Sequence, residues 1–336
     1  MLLTKTQNPV EISQFWPISL CLVLYKLIIK IIANRFKAVF PRILAPGQVG
    51  FVAGRNITNN IIIAQEVIHL MRGAQKNKKW MAIKIDLKKA FDRVRWDFIS
   101  ASFQAAGIPF FLHNVIMSVI SNSTMQVLWN GVPTQKFRLA RGVRQDCPLS
   151  PYLFILYMEW LGLSIRKAID VGNWSPIRLS HGGPPLSHLF FADDLILFGH
   201  ADKNQARVIK CILDDFCGYS RYRINSRKTN IFFSKGFDNN LGDFLNGFFG
   251  FQKFSNLGHY LGAPILHDKV KNSTLNFVVE KVNNKLSSWD ANQFSLAGRV
   301  TLAQSVLISI PSYFMQTMMV PKGICDEIER IVRKFV

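Results

Sequence analysis

Two neighbouring carboxylates interrupt an apolar segment in the second half of the sequence. Asp193 and Asp194 lie within "LSHLFFADDLILFGH", residues 186–200, where Phe, Leu and Ile flank them on both sides. The flanking halves are typical of strands, and a hairpin would place both carboxylates at its tip. Adjacent carboxylates in an apolar setting repel each other, and Mg²⁺ with oxygen ligands removes that cost. This pattern favours phosphoryl chemistry in which paired metal ions activate the attacking oxygen and stabilise the leaving oxygen.

A third carboxylate follows another strand-like segment. Asp86 ends the apolar run in "WMAIKIDL", residues 80–87, and a two-metal site needs a carboxylate from elsewhere in the chain. We therefore predict that Asp86 lies on a strand adjacent to Asp193 and Asp194. Simpler roles stay open from the sequence, because Asp-Asp is common in solvated turns and Asp86 would also suit a helix N-cap.

The charge of the chain predicts a polyanionic partner. Its 336 residues carry 41 Lys and Arg against 21 Asp and Glu, a formal net charge of +20. Nucleic acid or an anionic membrane fits this excess, and a strongly charged protein without such a partner is the alternative. Hydrophobic residues make up 49% of the chain, which argues against disorder.

Cysteine usage and the amino-terminal region bear on the compartment. Five cysteines without a CxxC pair indicate reduced thiols in an intracellular protein, and no signal peptide is recognisable. The segment "PISLCLVLYKLIIKIIANRF" is interrupted by Lys26 and Lys30, so we expect an amphipathic helix rather than a membrane span. A membrane anchor at residues 18–33 is the competing hypothesis.

The order of predicted elements indicates an α+β fold, because helices and strands mix without regular alternation. An Asn130–Gly131 pair predicts a hairpin, and "KTNIFFS" predicts a strand. Helices are predicted at residues 17–40, through "IIIAQEVIHLMR", on either side of a Gly107–Pro109 break, in "SPYLFILYMEWLGLSIRKAI", around 202–220, and over the basic last third.

Taken together, these segments resemble a reverse transcriptase domain of plant LINE-type (non-LTR) retrotransposons. The family's motifs occur in order along nearly the whole chain, and the combination of "DLKKAFD", "RQDCPLSPYLF" and "FADD" is highly specific. The full series is "FWPISL" at 15–20, "GFVAGRN" at 50–56, "KIDLKKAFD" at 84–92, "RGVRQDCPLSPYLF" at 141–154, "FFADD" at 190–194, "NSRKT" at 225–229 and "HYLGAPI" at 259–265.

The resemblance implies a right-hand polymerase fold and a set of site residues. The expected regions are partial fingers at 1–80, a palm at 81–265 in which 121–160 returns to the nucleotide pocket, and a truncated helical thumb at 266–336. Asp86, Asp193 and Asp194 would be the catalytic triad. The implied metal ligands are Asp86, Asp193 and the carbonyl of Leu87. The implied nucleotide contacts are Leu87, Phe91, Gln145 and Arg55. Lys228 would assist catalysis near the pyrophosphate, and Tyr260 with Gly262 would form the primer grip.

Cofactors and partners also follow from the resemblance. It implies two Mg²⁺ ions, with Mn²⁺ as a substitute, an RNA template, a DNA primer and dNTPs, and no membrane. Basic clusters at 76–79, 136–144, 203–228 and 269–285 would follow nucleic-acid phosphates without reading sequence. A nuclear or cytoplasmic location is implied, and the oligomeric state is left undetermined.

Two substitutions depart from the family pattern, and the resemblance implies a fragment without the family's amino-terminal endonuclease or its later zinc-knuckle-like or RNase H region. Trp16 stands where the family has an arginine that contacts the triphosphate, and tryptophan lacks the bidentate guanidinium. Asp146 replaces a glycine, which adds bulk and charge where close backbone approach or positive φ is needed. We therefore expect a truncated, partly degenerate copy with doubtful polymerase activity. The alternative is a non-catalytic nucleic-acid-binding remnant of the same fold.

Overall fold

A computed structural model describes the chain except residues 1, 6–7, 12–13, 19, 21, 74–78, 130, 255–256, 266–271, 288 and 290–293. The chain divides into two compact units. The first contains Met1–Ile57 and Ala74–Leu257, and the second contains Thr58–Gly73 and Gly258–Val336. Asn130 of the predicted hairpin and residues 76–78 and 269–271 of the predicted basic clusters lie outside the described residues.

Helices and strands are mixed along the chain, which confirms the predicted α+β class. The strands are β1 (Leu2–Thr4), β2 (Phe15–Pro17), β3 (Trp80–Ile85), β4 (Thr124–Met125), β5 (Leu128–Trp129), β6 (Val132–Pro133), β7 (Phe137–Arg138), β8 (Ile177–Arg178), β9 (Pro185–Leu186), β10 (His188–Phe191), β11 (Asp194–His200), β12 (Asn230–Phe233), β13 (Gln252–Lys253), β14 (His259–Tyr260) and β15 (Ala263–Pro264). The helices are α1 (Val23–Ile43), α2 (Ile57–Arg72), α3 (Ala90–Arg93), α4 (Trp96–Ala105), α5 (Phe110–Ser121), α6 (Ser150–Asp170), α7 (Lys203–Ser220), α8 (Asn239–Phe249), α9 (Asn272–Ser287), α10 (Leu296–Leu302), α11 (Ser309–Met315) and α12 (Lys322–Phe335), with a π-helical turn at Ala303–Leu307.

The first unit is organised by a five-stranded sheet in the order β10-β11-β3-β12-β13. β3 pairs antiparallel with both β11 and β12, while β12 and β13 run parallel. Residues 195–199 of β11 are all buried, although their side chains alternate between faces. Both faces of the sheet are therefore covered, which explains why the strand reads as a continuous Leu/Ile/Phe run.

Helix α6 supplies much of the core beneath this sheet. It starts with Pro151 in its first turn, where the missing N–H costs nothing. Leu153, Phe154, Tyr157 and Leu161 are buried on it, with at most 2% of each side chain exposed. This core fixes the sheet edge at which the aspartates lie.

The sequence placed most of these elements correctly. Strand β12, the hairpin pairing of β4–β5 with β6–β7, and helices α2, α4, α5, α6 and α7 are confirmed. The predicted helix 17–40 begins later, at Val23, because Pro17 belongs to strand β2. It also continues past Pro41, because a proline in the last turn removes only one hydrogen bond before the helix ends. Among the helices of the described residues, none is long and apolar enough to cross a membrane.

The second unit is mainly helical. Its core contains the apolar faces of α9, α11, α12 and the π-helical turn, including Leu275, Val278, Leu307, Phe314 and Ile324. A small antiparallel pair, β14 with β15, joins helix α2 in this unit. The predicted three-part division into fingers, palm and thumb stays a prediction.

Candidate active site

Strands β10 and β11 form a tight hairpin around the paired aspartates. Phe191 pairs with Asp194, which leaves Ala192 and Asp193 as the two turn residues. Ala192 has a φ of 52°, in the left-handed region that two-residue hairpin turns require. The predicted hairpin with carboxylates at its tip is therefore present.

Asp86 reaches the same edge of the sheet from strand β3. The antiparallel register pairs Leu195 with Ile85, so continuing it by one residue sets Asp194 opposite Asp86. Directly opposite residues in antiparallel strands have Cα atoms about 5 Å apart. The structure thus brings together the three carboxylates that the sequence singled out.

The surroundings of Asp193 and Asp194 disfavour their ionised forms and raise the pKa of both. Loss of hydration raises the pKa of Asp193, and the charge of Asp86 raises it further, although a backbone hydrogen bond opposes the shift. The pKa of Asp194 is raised by loss of hydration first, then by the charges of Asp193 and Asp86, with Lys84 acting in the opposite direction. Asp193 keeps access to solvent at the open side of the turn. The site therefore holds unfavourable negative charge that a cation would relieve.

Lys84 takes part in the same charge cluster. Burial lowers its pKa, while the carboxylates of Asp194 and Asp86 raise it and partly offset the burial. A single lysine against three carboxylates leaves the cluster with net negative charge when all are ionised.

The 223–229 segment holds Asp86 in place. Asn225 donates from Nδ2 to Asp86 Oδ2 at 3.2 Å and from its backbone N–H to the Asp86 carbonyl at 2.8 Å. The Asp86 N–H donates to Thr229 Oγ1 at 3.2 Å. Next in the chain, Leu87 is buried and forms a β-bridge with Ile224. Sequence reasoning quoted "NSRKT" only for Lys228 and missed the asparagine and threonine that fix the carboxylate.

Lys228 lies exposed in the turn that follows Asn225. Its backbone N–H donates to the Asn225 carbonyl at 3.0 Å. The lysine therefore belongs to the segment that positions Asp86, and its predicted role near pyrophosphate stays a prediction.

Phe91 and Gln145 lie on adjoining segments. Phe91 is half-buried, with its ring 4.9 Å from that of Phe154, and its carbonyl accepts the Val143 N–H at 2.8 Å. Gln145 Nε2 donates to Asp92 Oδ1 at 3.4 Å, a long contact. The chain around 141–149 therefore packs along α3, and the expected nucleotide contacts Phe91 and Gln145 come from the same part of the first unit.

Asp146 occupies a conformation that favours glycine. Its φ is 61° and its side chain is exposed. Of the two reasons for a glycine at this position, close backbone approach or positive φ, the structure shows positive φ, and the aspartate is strained there.

Arg55 is engaged with the loop that precedes it. Its guanidinium donates to the carbonyls of Leu44 at 2.7 Å and Ala45 at 2.5 Å, and also to that of Gln48. Burial lowers its pKa, an effect opposed by the charge of Glu159. These contacts make Arg55 a clamp on the 44–48 loop, and its expected contact with nucleotide stays a prediction.

The 44–48 loop is hydrogen-bonded to the Ala192–Asp193 turn (the aspartate turn), a contact that sequence reasoning missed. Gln48 Oε1 accepts the N–H groups of Gly50 at 3.0 Å and Ala192 at 3.2 Å. Phe190 donates its N–H to Gly47 O and accepts the N–H of Val49, each at 2.9 Å. In the sequence, this contact was signalled by the glycines in "PGQVGF". The structure explains the second glycine, because a Cβ on Gly50 would lie 2.7 Å from Ala192 N.

Tyr260 and Gly262 belong to the second unit. Tyr260 precedes the β14–β15 turn, and Gly262 is in it: the two turn residues, Leu261 and Gly262, have φ values of 51° and 81°. Tyr260 is buried, and Tyr313 donates its hydroxyl to the Leu261 carbonyl. The predicted Tyr-Gly bend is present, and its role as a primer grip is untested.

Within the described residues, no three or more His, Cys, Asp or Glu side chains are arranged as a preformed metal site. The donor chemistry nevertheless suits a hard divalent cation. Asp86, Asp193 and Asp194 lie at one edge of the sheet, and the negative charges of their neighbours raise the pKa of Asp193 and of Asp194. Divalent ions that keep several waters need only one or two such carboxylates from the protein.

Comparison with known proteins identifies the class of this site. Residues 4–265 match the family model described as "Reverse transcriptase (RNA-dependent DNA polymerase)". The chain belongs to this family, whose members generally use divalent metal ions, and its mixed helix and sheet fold is consistent with that of a reverse transcriptase.

The similar sequences narrow the type of reverse transcriptase. The chain is 30% identical over 197 residues to a retrovirus-related Pol polyprotein from the type-1 retrotransposable element R2 of Popillia japonica, covering 58% of this chain and 26% of that protein. It is 48% identical over 65 residues to an uncharacterized mitochondrial protein of Arabidopsis thaliana, covering 19% of this chain and 53% of that protein. The chain is therefore a reverse transcriptase domain of the non-LTR retrotransposon type, and it spans about a quarter of the length of its R2 relative.

Among solved structures, telomerase from Candida tropicalis in complex with a fragment of telomeric RNA is similar. The TM-score is 0.47 at 13% identity, and the match covers 87% of this chain and 46% of that one.

Proposed function

We propose that this chain is the polymerase domain of a non-LTR retrotransposon of plant type and copies RNA into DNA with two Mg²⁺ ions. The 3′-hydroxyl oxygen of a DNA primer would attack the α-phosphate of a dNTP, form a phosphodiester bond and release pyrophosphate. The observation that carries the proposal is the convergence of Asp86, Asp193 and Asp194 at one edge of strands β3 and β11.

The residues at the site would share the work of positioning and charge compensation. Asp86 and Asp193, with the carbonyl of Leu87, would hold the metal ions, which lower the pKa of the attacking hydroxyl and stabilise the leaving group. Asp194 would complete the negative field. Asn225 would keep Asp86 oriented through its 3.2 Å hydrogen bond.

The remaining predicted residues would contact the nucleotide, the template and the primer. Phe91 would lie under the incoming sugar and Gln145 beside the template base. Lys228 would act near the departing pyrophosphate as a proton donor or electrostatic aid. Arg55 would contact nucleotide, and Tyr260 with Gly262 would hold the primer.

The basic charge of the chain supports nucleic-acid partners. A net charge of +20 favours binding of an RNA template and DNA primer through phosphates, without sequence readout. Binding should therefore weaken steeply as salt concentration rises.

One observation favours a second candidate, a nucleic-acid-binding remnant without catalysis. Asp146 places an exposed carboxylate, with φ at 61°, next to the proposed pocket residue Gln145. A negative charge there would repel a triphosphate. Trp16, in strand β2, cannot supply the phosphate contact that arginine would make.

A primer-extension assay with RNA template and Mg²⁺ or Mn²⁺ separates the two candidates. The variants are the wild type, Trp16→Arg/Asp146→Gly, and Asp193→Asn in each background as the inactive control. Extension by the wild type, abolished by Asp193→Asn, would support polymerase function in this copy. Extension by the double variant alone would support a decayed polymerase.

Failure of both proteins to extend, with primer–template binding retained, would favour the binding remnant. Failure to bind primer–template at all, in a folded protein, would contradict both candidates.

A further inference from the structure

A strained aromatic residue lies beside the aspartate turn. Phe51 has a φ of 58°, in the left-handed region that bulky L-residues seldom adopt. Its side chain is 48% exposed, so it gains little from burial in the core. A fold cost without a packing gain points to a role outside stability.

The backbone around Phe51 is fixed by contacts to the turn itself. Gln48 bonds both Gly50 and Ala192, and a Cβ at Gly50 would lie 3.1 Å from the Phe191 carbonyl carbon. Val52, the next residue, is buried and donates its N–H to the Val49 carbonyl. Anchors on both sides therefore hold residue 51 in its position whatever side chain it carries.

The ring of Phe51 lies near the ring of Phe191, the residue that precedes the aspartate turn. Its centroid lies 6.4 Å from that of Phe191, with 35° between the ring planes. Phe191 is half-buried and pairs with Asp194 across the hairpin. A half-exposed aromatic ring on an anchored backbone thus lies next to the hairpin that carries Asp193 and Asp194.

We propose that Phe51 is a stacking residue that holds a nucleobase of the primer–template junction next to the aspartate turn. Aromatic side chains bind single-stranded bases by stacking, whatever the base identity, which suits an enzyme that copies any sequence. A fixed ring loses little conformational entropy on binding, and this explains the use of a strained, anchored position. The inference rests on the proposed function, because it assumes that a nucleic-acid end reaches the three carboxylates.

The strain gives the proposal an unusual signature in a variant series. Phe51→Gly relieves the backbone and removes the ring together, so its thermal midpoint should be equal to or above that of the wild type. Its affinity for an RNA template annealed to a DNA primer should nevertheless fall about tenfold, as expected for loss of one base–aromatic contact. Phe51→Trp keeps an aromatic face and should bind within about threefold of the wild type.

Arg221→Gly is the matched control for strain relief. Arg221 also has positive φ, 64°, at the end of α7, and is exposed. This variant should gain stability like Phe51→Gly, and it is compared in thermal midpoint only, because Arg221 lies in the 203–228 basic cluster and its loss would itself weaken nucleic-acid binding. A ring required for folding would instead make Phe51→Gly less stable, and that result would overturn the proposal.

The direct readout is 2-aminopurine placed either at the primer 3′ end or at the facing template base, with binding measured by anisotropy without dNTP. Stacking on Phe51 should quench the probe in one of the two strands, which identifies the strand, and Phe51→Gly should restore the emission. Equal affinity and equal quenching in wild type and Phe51→Gly would refute this inference while leaving the proposed function standing. A folded wild type that binds neither duplex would refute the proposed function and this inference together.

Discussion

His188 is buried in the strand that leads into the aspartate turn, and its protonation should lower the free energy of unfolding. It lies in strand β10 and is 8% exposed, with Ser187 Oγ at 3.0 Å from Nδ1. Loss of hydration, followed by the charge of Arg166, lowers its pKa from 6.5 to about 4. Gly47 packs against the ring so closely that a Cβ there would lie 2.6 Å from Nε2.

The size of this loss in the free energy of unfolding follows from linkage between protonation and folding. Because the folded-state pKa is depressed, the unfolded chain binds the proton more readily between pH 6.5 and about 4. The stability linked to neutral His188 is complete above pH 6.5 and is lost as the pH falls through this window. Between pH 7.5 and 5 this one group should cost about 2 kcal/mol.

Other charged groups near His188 stay the same when only this residue is replaced. Arg166 forms an ion pair with Glu159 at 2.6 Å, and Glu159 Oε1 also accepts the Ala45 N–H at 3.3 Å. The comparison is therefore between the wild type and His188→Gln, with urea unfolding followed by tryptophan fluorescence at pH 7.5 and 5. The wild type should lose about 2 kcal/mol more than the variant. An equal loss in both proteins would show that His188 is not the buried neutral group described here.

Three further predictions concern residues at the site. Asp146→Gly should raise the free energy of unfolding by about 0.5 kcal/mol, since relief of left-handed strain exceeds the entropy cost of glycine, and a decrease in urea denaturation would contradict the strain. Asp194→Asn should stabilise the metal-free protein at pH 8 by removing repulsion from Asp193. In the wild type, Mg²⁺ at a hundred times its dissociation constant should add about 2.7 kcal/mol; a similar gain in Asp193→Asn at the same Mg²⁺ concentration would place the metal elsewhere. Arg55→Ala should cost about 2 kcal/mol through three lost carbonyl contacts, and urea unfolding with no loss would show that they do not hold the loop.

The sequence predicted the aspartates of the candidate site better than the residues that hold them in place through hydrogen bonds. Asp86, Asp193 and Asp194 could be found because packing alone seldom accounts for apolar strands that end in carboxylates, and pairing of β3 with β11 brings them together. Asn225 and Gln48 could not be found, because their roles depend on hydrogen bonds across 139 and 144 residues of chain. A side chain that acts only through tertiary contacts leaves no periodic pattern in the sequence.

Backbone conformation set a second limit. The glycine expected at Asp146 gave a correct indication of positive φ, because the family pattern pointed to it. Phe51 carries no such signal, since aromatic residues rarely adopt that conformation. The early start predicted for α1 was wrong, because Pro17 belongs to strand β2, which pairs with β1. No local sequence pattern reveals this pairing.

Asp86 and Asp193 are proposed to hold divalent metal ions at one centre, beside Asp194. Fe²⁺ in place of Mg²⁺, with ascorbate and peroxide, generates radicals that cut the backbone beside the bound ion, and mass spectrometry locates the cuts. We predict cleavage both within residues 85–88 and within 191–194, suppressed by excess Mg²⁺ and absent in Asp86→Asn and Asp193→Asn. Cleavage at only one of these two segments, or only elsewhere in the chain, would contradict the account.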